Sequence, residues 1–181
     1  MCKLKSAIIL KDRIFMPDYD SHSDMLEELK IKDDYLHASK TFVRAELSPK
    51  GGDVFSDIDT WVLNVDQDIT PDWFDADTYK PKMVEMVKEW AKTHIHIGVK
   101  GLKINAGQNH YIKDCYDVEV YGSATVKEVC GSATVISSLY SKWRNSESII
   151  LTQNATFKDC YTKTIYQSGD WKLIAVKEKE V

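Results

Sequence analysis

The chain has 181 residues, enough for one ample domain or two small ones, and its 43% hydrophobic content excludes an intrinsically disordered chain. Its formal net charge of −4 leaves no excess of cations for nucleic acid, so direct nucleic-acid binding is not expected. The apolar run after Lys5 is too short for a secretion signal or a membrane span, which need roughly 7–15 and about 20 apolar residues.

Residues 1–105 predict an α+β domain. A first helix is expected to begin with Ser21 as its N-terminal cap and to end near residues 30–34. A second is expected over residues 80–92, where apolar residues recur at helical spacing and Pro81 would occupy the first turn. Strands are expected at residues 7–10, 13–16, 41–47, 60–65 and 94–99.

Residues 106–181 predict an all-β region that resembles a short β-solenoid. The phrase Gly-Ser-Ala-Thr-Val at 122–126 recurs nine residues later at 131–135, and residues 112–116 are echoed at 157–161. A short period with small and β-branched residues in fixed positions is typical of stacked coils. We expect the Ala and Val of each copy to point inward, and Thr125 and Thr134 to lie side by side on neighbouring strands. Later strands are expected at 149–152, 155–160, 164–166 and 171–176.

Four cysteines, Cys2, Cys115, Cys130 and Cys160, have no CxxC spacing, which favours reduced thiols in a cytosol over a disulfide framework. The last three each follow a hydrophobic residue, a lysine and an acid. We interpret them as small hydrophobic residues stacked inside the coils. A reactive thiol is the alternative.

The strongest local charge lies in residues 53–79, the acidic stretch, which contains eight aspartates and no lysine or arginine. Aromatic residues are interleaved with them. Negative charge combined with aromatic side chains predicts a protein-binding surface that docks into a basic groove. The alternative is a solvated face on which aspartate serves turns and helix caps. The residues predicted to bind are Asp57, Asp59, Asp66, Asp68, Asp72, Trp73, Asp75 and Asp77.

A second predicted contact consists of Trp143 and Arg144, in a polar insertion that interrupts the repeat. An aromatic ring flanked by cations suits anchoring in a partner's pocket or stacking on a base. Equally, Trp143 could fold back to cover the edge of the β region.

No metal ion or other cofactor is predicted. The pairs Asp57/Asp59 and Asp66/Asp68 lack the closing glutamate and the spacing of a calcium loop.

No catalytic residue is predicted either. His94 and His96 have the spacing of a metal pair, but a pair is not a complete site, and two exposed strand histidines are the expected arrangement. Ser21, His22 and Asp24 carry the residue types of a hydrolase triad, yet neighbours in sequence seldom reach its geometry. Helix capping is the interpretation we favour for them.

The Ser-Ala-Thr-Val phrase, with SAIILKDR at 6–13 and WVLNVDQD at 61–68, resembles the SATV/NATV-repeat accessory proteins of phages and mobile elements of gut bacteria. The similarity spans most of the chain and carries over no catalytic or ligand residue. It implies a related N-terminal module followed by [SN]-A-T-V repeats. Small acidic proteins of such elements are often inhibitors of host defence, including inhibitors of CRISPR nucleases, which hold nucleic acid in basic channels.

The sequence therefore predicts a non-enzymatic protein of the host-cell cytoplasm. It would bind and inhibit a host defence protein, most plausibly a Cas9-type nuclease, with no membrane partner. Oligomerisation through the β repeat stays open. One alternative is a structural or receptor-binding β-solenoid module of a virion. Another is a nuclease that uses its aspartate pairs with Mg²⁺.

Overall fold

A computed structural model describes residues 4–33, 40–107, 109–137, 150–151, 155–159, 164–167 and 174–175. The chain is a mixed α/β protein that divides into two compact units, Met1–Ala91 and Lys92–Val181. The boundary expected from the sequence fell after residue 105. Parallel strand pairing begins at Ile95. Neither helix in the described part of the chain combines the length and apolar composition needed to cross a membrane.

The first unit contains a four-stranded antiparallel sheet in the order β2-β1-β3-β4. All four strands lie where the sequence predicts them. They are β1 (Lys5–Leu10), β2 (Ile14–Phe15), β3 (Phe42–Ser48) and β4 (Val62–Val65).

The first helix, α1 (His22–Glu28), begins at the predicted cap, because the hydroxyl of Ser21 accepts a hydrogen bond from the N–H of Asp24. It ends earlier than expected. Lys30 adopts a positive φ of 56°, which no right-handed helix accommodates. The buried Met25 and Leu26 of α1 pack on one face of the sheet, each contributing about 1.5–3 kcal/mol by leaving water.

The second helix, α2 (Ala76–His94), begins four residues before the predicted start. Asp75 precedes it, and its carboxylate accepts hydrogen bonds from the N–H and the hydroxyl of Thr78. Pro81 therefore lies inside the helix rather than in its first turn, which corrects the prediction. On the sheet face opposite α1, the Lys5 ammonium lies 5.1 Å from the ring centroid of Trp90 in α2.

The second unit consists mainly of short strands in two sheets. One has the order β11-β9-β7-β5, and the other has the order β14-β13-β12-β10-β8-β6. The strands are β5 (Ile95–Ile97), β6 (Lys103–Ile104), β7 (His110–Lys113), β8 (Val118–Val120), β9 (Val126–Cys130), β10 (Thr134–Ser137), β11 (Ile150–Leu151), β12 (Thr156–Asp159), β13 (Thr164–Gln167) and β14 (Ile174–Ala175).

From β5 to β10, consecutive strands alternate between the two sheets. Each pairs in parallel with the strand two places further on, as β5 does with β7 and β6 with β8. The paired residues Ile95 and Tyr111 are 16 apart in sequence, and Ile112 and Val129 are 17 apart. The stacking period is thus about twice the nine-residue repeat seen in the sequence.

Each copy of the repeated phrase turns a corner and enters a strand. Gly122 and Gly131 have φ of +65° and +67°, a conformation that costs other residues about 1–2 kcal/mol. The following alanine and valine are buried in each copy, as predicted. Their shared core also contains residues from β6, β7, β8 and β9.

The expected pairing of Thr125 with Thr134 is wrong. Thr125 lies immediately before β9 and Thr134 begins β10, and these two strands belong to different sheets. The longer echo does not stack either, because Ile112 is in β7 and Phe157 is in β12 of the other sheet.

Cys115 and Cys130 are buried and form no disulfide in the described part of the chain, which confirms their interpretation as packing residues. Burial raises the pKa of the Cys115 thiol, so the reactive thiolate is disfavoured at that position. Cys2, Cys160 and the predicted contact at Trp143 and Arg144 lie outside the described residues.

Candidate functional site

The aspartates predicted to bind a partner are exposed, but they differ in what their carboxylates contact. Three of them have roles within the fold. Asp57 accepts a hydrogen bond from the N–H of Asp59 at 3.1 Å, and Asp59 pairs with the Lys88 ammonium at 2.8 Å. Asp75 is the third, and the hydrogen bond from the Thr78 hydroxyl holds its pKa below the usual value. For these three, the solvated-turn interpretation has direct structural support.

Three others, the unpaired aspartates Asp68, Asp72 and Asp77, have no hydrogen bond or ion pair to their carboxylates in the described part of the chain. They fall within ten residues of sequence, and no lysine or arginine lies between residues 53 and 79. Like charges close together in sequence, with no cation between them in the chain, raise the negative potential at the surface. These three carboxylates are therefore the ones available to a basic partner.

Aromatic side chains lie in the loop between β4 and α2 and in the first turns of α2. Trp73 and Phe74 are half-buried, with ring centroids 6.4 Å apart, and Phe74 stacks on Tyr79 at 5.6 Å. Tyr79 is buried, and its hydroxyl donates to the carbonyl oxygen of Lys11 at 3.1 Å. Trp61, which the sequence also places in the acidic stretch, is fully buried and belongs to the core.

Gln67 fixes the start of this loop. Its side-chain oxygen accepts a hydrogen bond from the N–H of Arg44 at 2.8 Å, and its amide nitrogen donates to the carbonyl oxygen of Ile69 at 2.7 Å. Ile69 is 56% exposed, which gives the negatively charged loop an apolar side chain facing solvent. An apolar anchor surrounded by charge is a common composition for a binding surface.

Sequence reasoning missed a second group, formed by His22, Glu46 and Asp66. The ligand-type atoms of these side chains all lie within 4.8 Å of one another, and His22 Nδ1 is 3.5 Å from Asp66 Oδ2. His22 comes from the first residue of α1, Glu46 from the middle of β3, and Asp66 follows β4 directly. A signal existed in the strand β3, where the charged residues Arg44 and Glu46 interrupt an otherwise apolar run and are both buried.

His94 and His96 are not the exposed strand pair that their spacing predicted. His94 is buried at the end of α2, and His96 lies in β5. Both rings stack on that of His110, with centroids 5.0 and 5.4 Å apart. The strand register explains this, because β5 pairs with β7 and brings His110 alongside.

No protein-family model matches the chain, and no solved structure matches it. The roles of these groups therefore follow from their own distances, burial and charge. The unpaired aspartates present negative charge to solvent. The three-residue group offers one nitrogen and two carboxylate oxygens to a small ligand.

The histidine stack predicts a pH-dependent stability. Burial, together with the charges of His110 and His94, lowers the pKa of His96 to about 4 from 6.5. Between these values the unfolded chain binds a proton that the folded chain does not. Stability therefore falls as the pH drops from about 6.5 to about 4. Urea denaturation of wild type and His96→Gln at both ends of this range should show a smaller pH effect in the variant, by on the order of 1–2 kcal/mol. Equal pH effects would contradict this prediction.

Proposed function

We propose that the protein binds, without catalysis, a partner that has a basic groove, and that the contact consists of the loop after β4, which carries Asp68 and Asp72, and the first turn of α2, which carries Asp77. The observation that carries the proposal is that Asp68, Asp72 and Asp77 are exposed and have no cationic partner in the described part of the chain. Complementary charge increases the rate of encounter and orients the partners.

The half-buried Trp73 and the exposed Ile69 supply apolar surface within the same loop. Charge alone is screened over about 8 Å at physiological salt, so a lasting complex needs such contacts. The loop thus combines long-range attraction with short-range affinity.

For the partner we propose a host defence protein that handles nucleic acid, with a Cas9-type nuclease as the first to test. Two arguments support this choice. The repeat phrase resembles that of phage and mobile-element accessory proteins, and an acidic loop suits a channel built to hold a polyanion. The proposed action takes place in the cytoplasm of the host cell.

For the second unit we propose a short β-solenoid. Supporting this are the alternation of β5 to β10 between two sheets and the parallel pairing at shifts of 16 and 17 residues. The glycine corners at Gly122 and Gly131 supply the turns. Such a unit is a rigid support rather than a source of chemistry.

The test is cleavage of a target DNA by a guide-loaded Cas9-type nuclease in the presence of increasing amounts of the chain. The proposal expects inhibition at stoichiometric amounts, together with loss of DNA binding by the nuclease. If the chain inhibited none of a panel of such nucleases, this choice of partner would be rejected. Inhibition that survives charge reversal of the unpaired aspartates would reject the contact.

A further inference from the structure

We propose that His22, Glu46 and Asp66 form a binding site for a divalent transition-metal cation of the Zn²⁺ class. The inference does not depend on the proposed binding function, because the chain alone would take up the ion. Three segments supply the ligands, namely α1, β3 and the residue that follows β4.

The hydrogen bonding of the His22 ring provides the first argument. Its Nε2 lies 3.2 Å from the carbonyl oxygen of Ala45, and a carbonyl oxygen can only accept a hydrogen bond, so Nε2 carries the proton. In the neutral ring, Nδ1 is then a bare lone pair, and it lies 3.5 Å from the Asp66 carboxylate. These two acceptors repel each other unless a proton or a metal cation lies between them. Metal-binding histidines commonly donate their other N–H to a backbone carbonyl, as His22 does.

Glu46 provides the second, independent argument. It is only 6% exposed, and its carboxylate accepts no hydrogen bond and forms no ion pair in the described part of the chain. An uncompensated buried carboxylate costs several kcal/mol. Its neighbour across the strand pair, Ser6, has a buried hydroxyl without a hydrogen-bond partner among the described residues. Glu46 is thus a buried acceptor within 4.8 Å of the ligand atoms of His22 and Asp66, and none of the described residues forms a hydrogen bond or ion pair with its carboxylate.

The distances fit a small cation. With metal–ligand bonds of about 2.1 Å and a tetrahedral angle, two ligand atoms lie about 3.4 Å apart. The separation of 3.5 Å between His22 Nδ1 and Asp66 Oδ2 matches this value, and a carboxylate oxygen of Glu46 lies within 4.8 Å of both atoms.

The ligand types select the metal. An imidazole nitrogen disfavours Mg²⁺ and Ca²⁺, which prefer all-oxygen sites, and suits Zn²⁺. Two carboxylates neutralise the charge of the ion. Three protein ligands leave a coordination position for water, and the half-exposed Asp66 lies on the solvent side. When bound, the ion would link the residue that follows β4 to α1 and β3.

The test uses the full chain, stripped with a chelator and titrated calorimetrically with ZnCl₂, MgCl₂ and CaCl₂ in turn. We expect one Zn²⁺ per chain and no saturable uptake of Mg²⁺ or Ca²⁺. His22→Gln, Glu46→Gln and Asp66→Asn should each weaken Zn²⁺ binding by roughly 100-fold. Asp68→Asn removes a carboxylate from the same loop and serves as the matched control, and His96→Gln removes a histidine outside the site. Both should bind Zn²⁺ like the wild type.

Asp66→Asn keeps the test informative even if the buried substitutions prevent folding, because the Asp66 side chain is 56% exposed. A wild-type chain that takes up no Zn²⁺ would overturn the proposal. Equal Zn²⁺ affinity in Asp66→Asn and Asp68→Asn would overturn it as well. Failure to inhibit a nuclease would leave this result unaffected, so the two proposals fail separately.

Discussion

Changing Asp68, Asp72 and Asp77 together to lysine is expected to weaken binding to the basic partner by about 100-fold or more. The substitution replaces three attractive charges with three repulsive ones, on side chains that have no structural partner in the described part of the chain. The residual binding should also depend less on salt, because the screened attraction is gone. Biolayer interferometry at low and physiological salt measures both effects.

A matched control places the same charge change elsewhere. Glu27, Glu85 and Glu119 are exposed and lie outside the acidic stretch, on α1, α2 and β8. Their triple replacement by lysine raises the net charge by the same amount. We expect it to reduce the association rate modestly and to leave the dissociation rate unchanged. If both triple variants lost affinity equally, net charge rather than the loop would be responsible.

Gly122→Ala is expected to cost the second unit about 3 kcal/mol of its free energy of unfolding, the sum of backbone strain and overpacking. Gly122 has a φ of +65°, and an added Cβ would lie 2.5 Å from the carbonyl oxygen of Asn105. That oxygen accepts a hydrogen bond from the N–H of Ser123 at 3.1 Å. The Asn105 carbonyl therefore cannot move away from the added Cβ without losing its hydrogen bond to Ser123.

Gly101→Ala separates strain from clash. Gly101 has a similar φ of +69°, but an added Cβ there meets no atom within 4 Å. This variant should cost only about 1 kcal/mol. Urea denaturation followed by circular dichroism gives the difference between the two variants. Equal costs would show that the close approach at Gly122 is absent in solution.

The parts of the fold that depend on local signals could be predicted from the sequence. The Ser21 cap, the strands of the first sheet and the inward alanine and valine of each repeat follow from side-chain type and spacing. Nonlocal pairing could not be predicted in the same way. The nine-residue repeat suggested adjacent strands, but each glycine corner directs the chain into the opposite sheet, so Thr125 and Thr134 do not meet.

The candidate site also combines features that the sequence reveals with features that only the fold reveals. The clustering of aspartates is visible as composition, which is why the acidic stretch could be identified. The partners of the individual carboxylates are not visible, since Asp59 meets Lys88 and Asp66 meets His22 only through tertiary packing. The sequence places His22 at the start of a helix, and its proximity to Glu46 and Asp66 follows only from the packing of α1 against the sheet.

Hydrogen–deuterium exchange of the wild-type chain, alone and with a guide-loaded Cas9-type nuclease, tests the central claim most directly. It reports which backbone segments a partner covers. The account predicts slower exchange across residues 66–77, with little change at the Glu27 and Glu119 surfaces. Protection confined to other segments, with residues 66–77 exchanging as in the free chain, would contradict it.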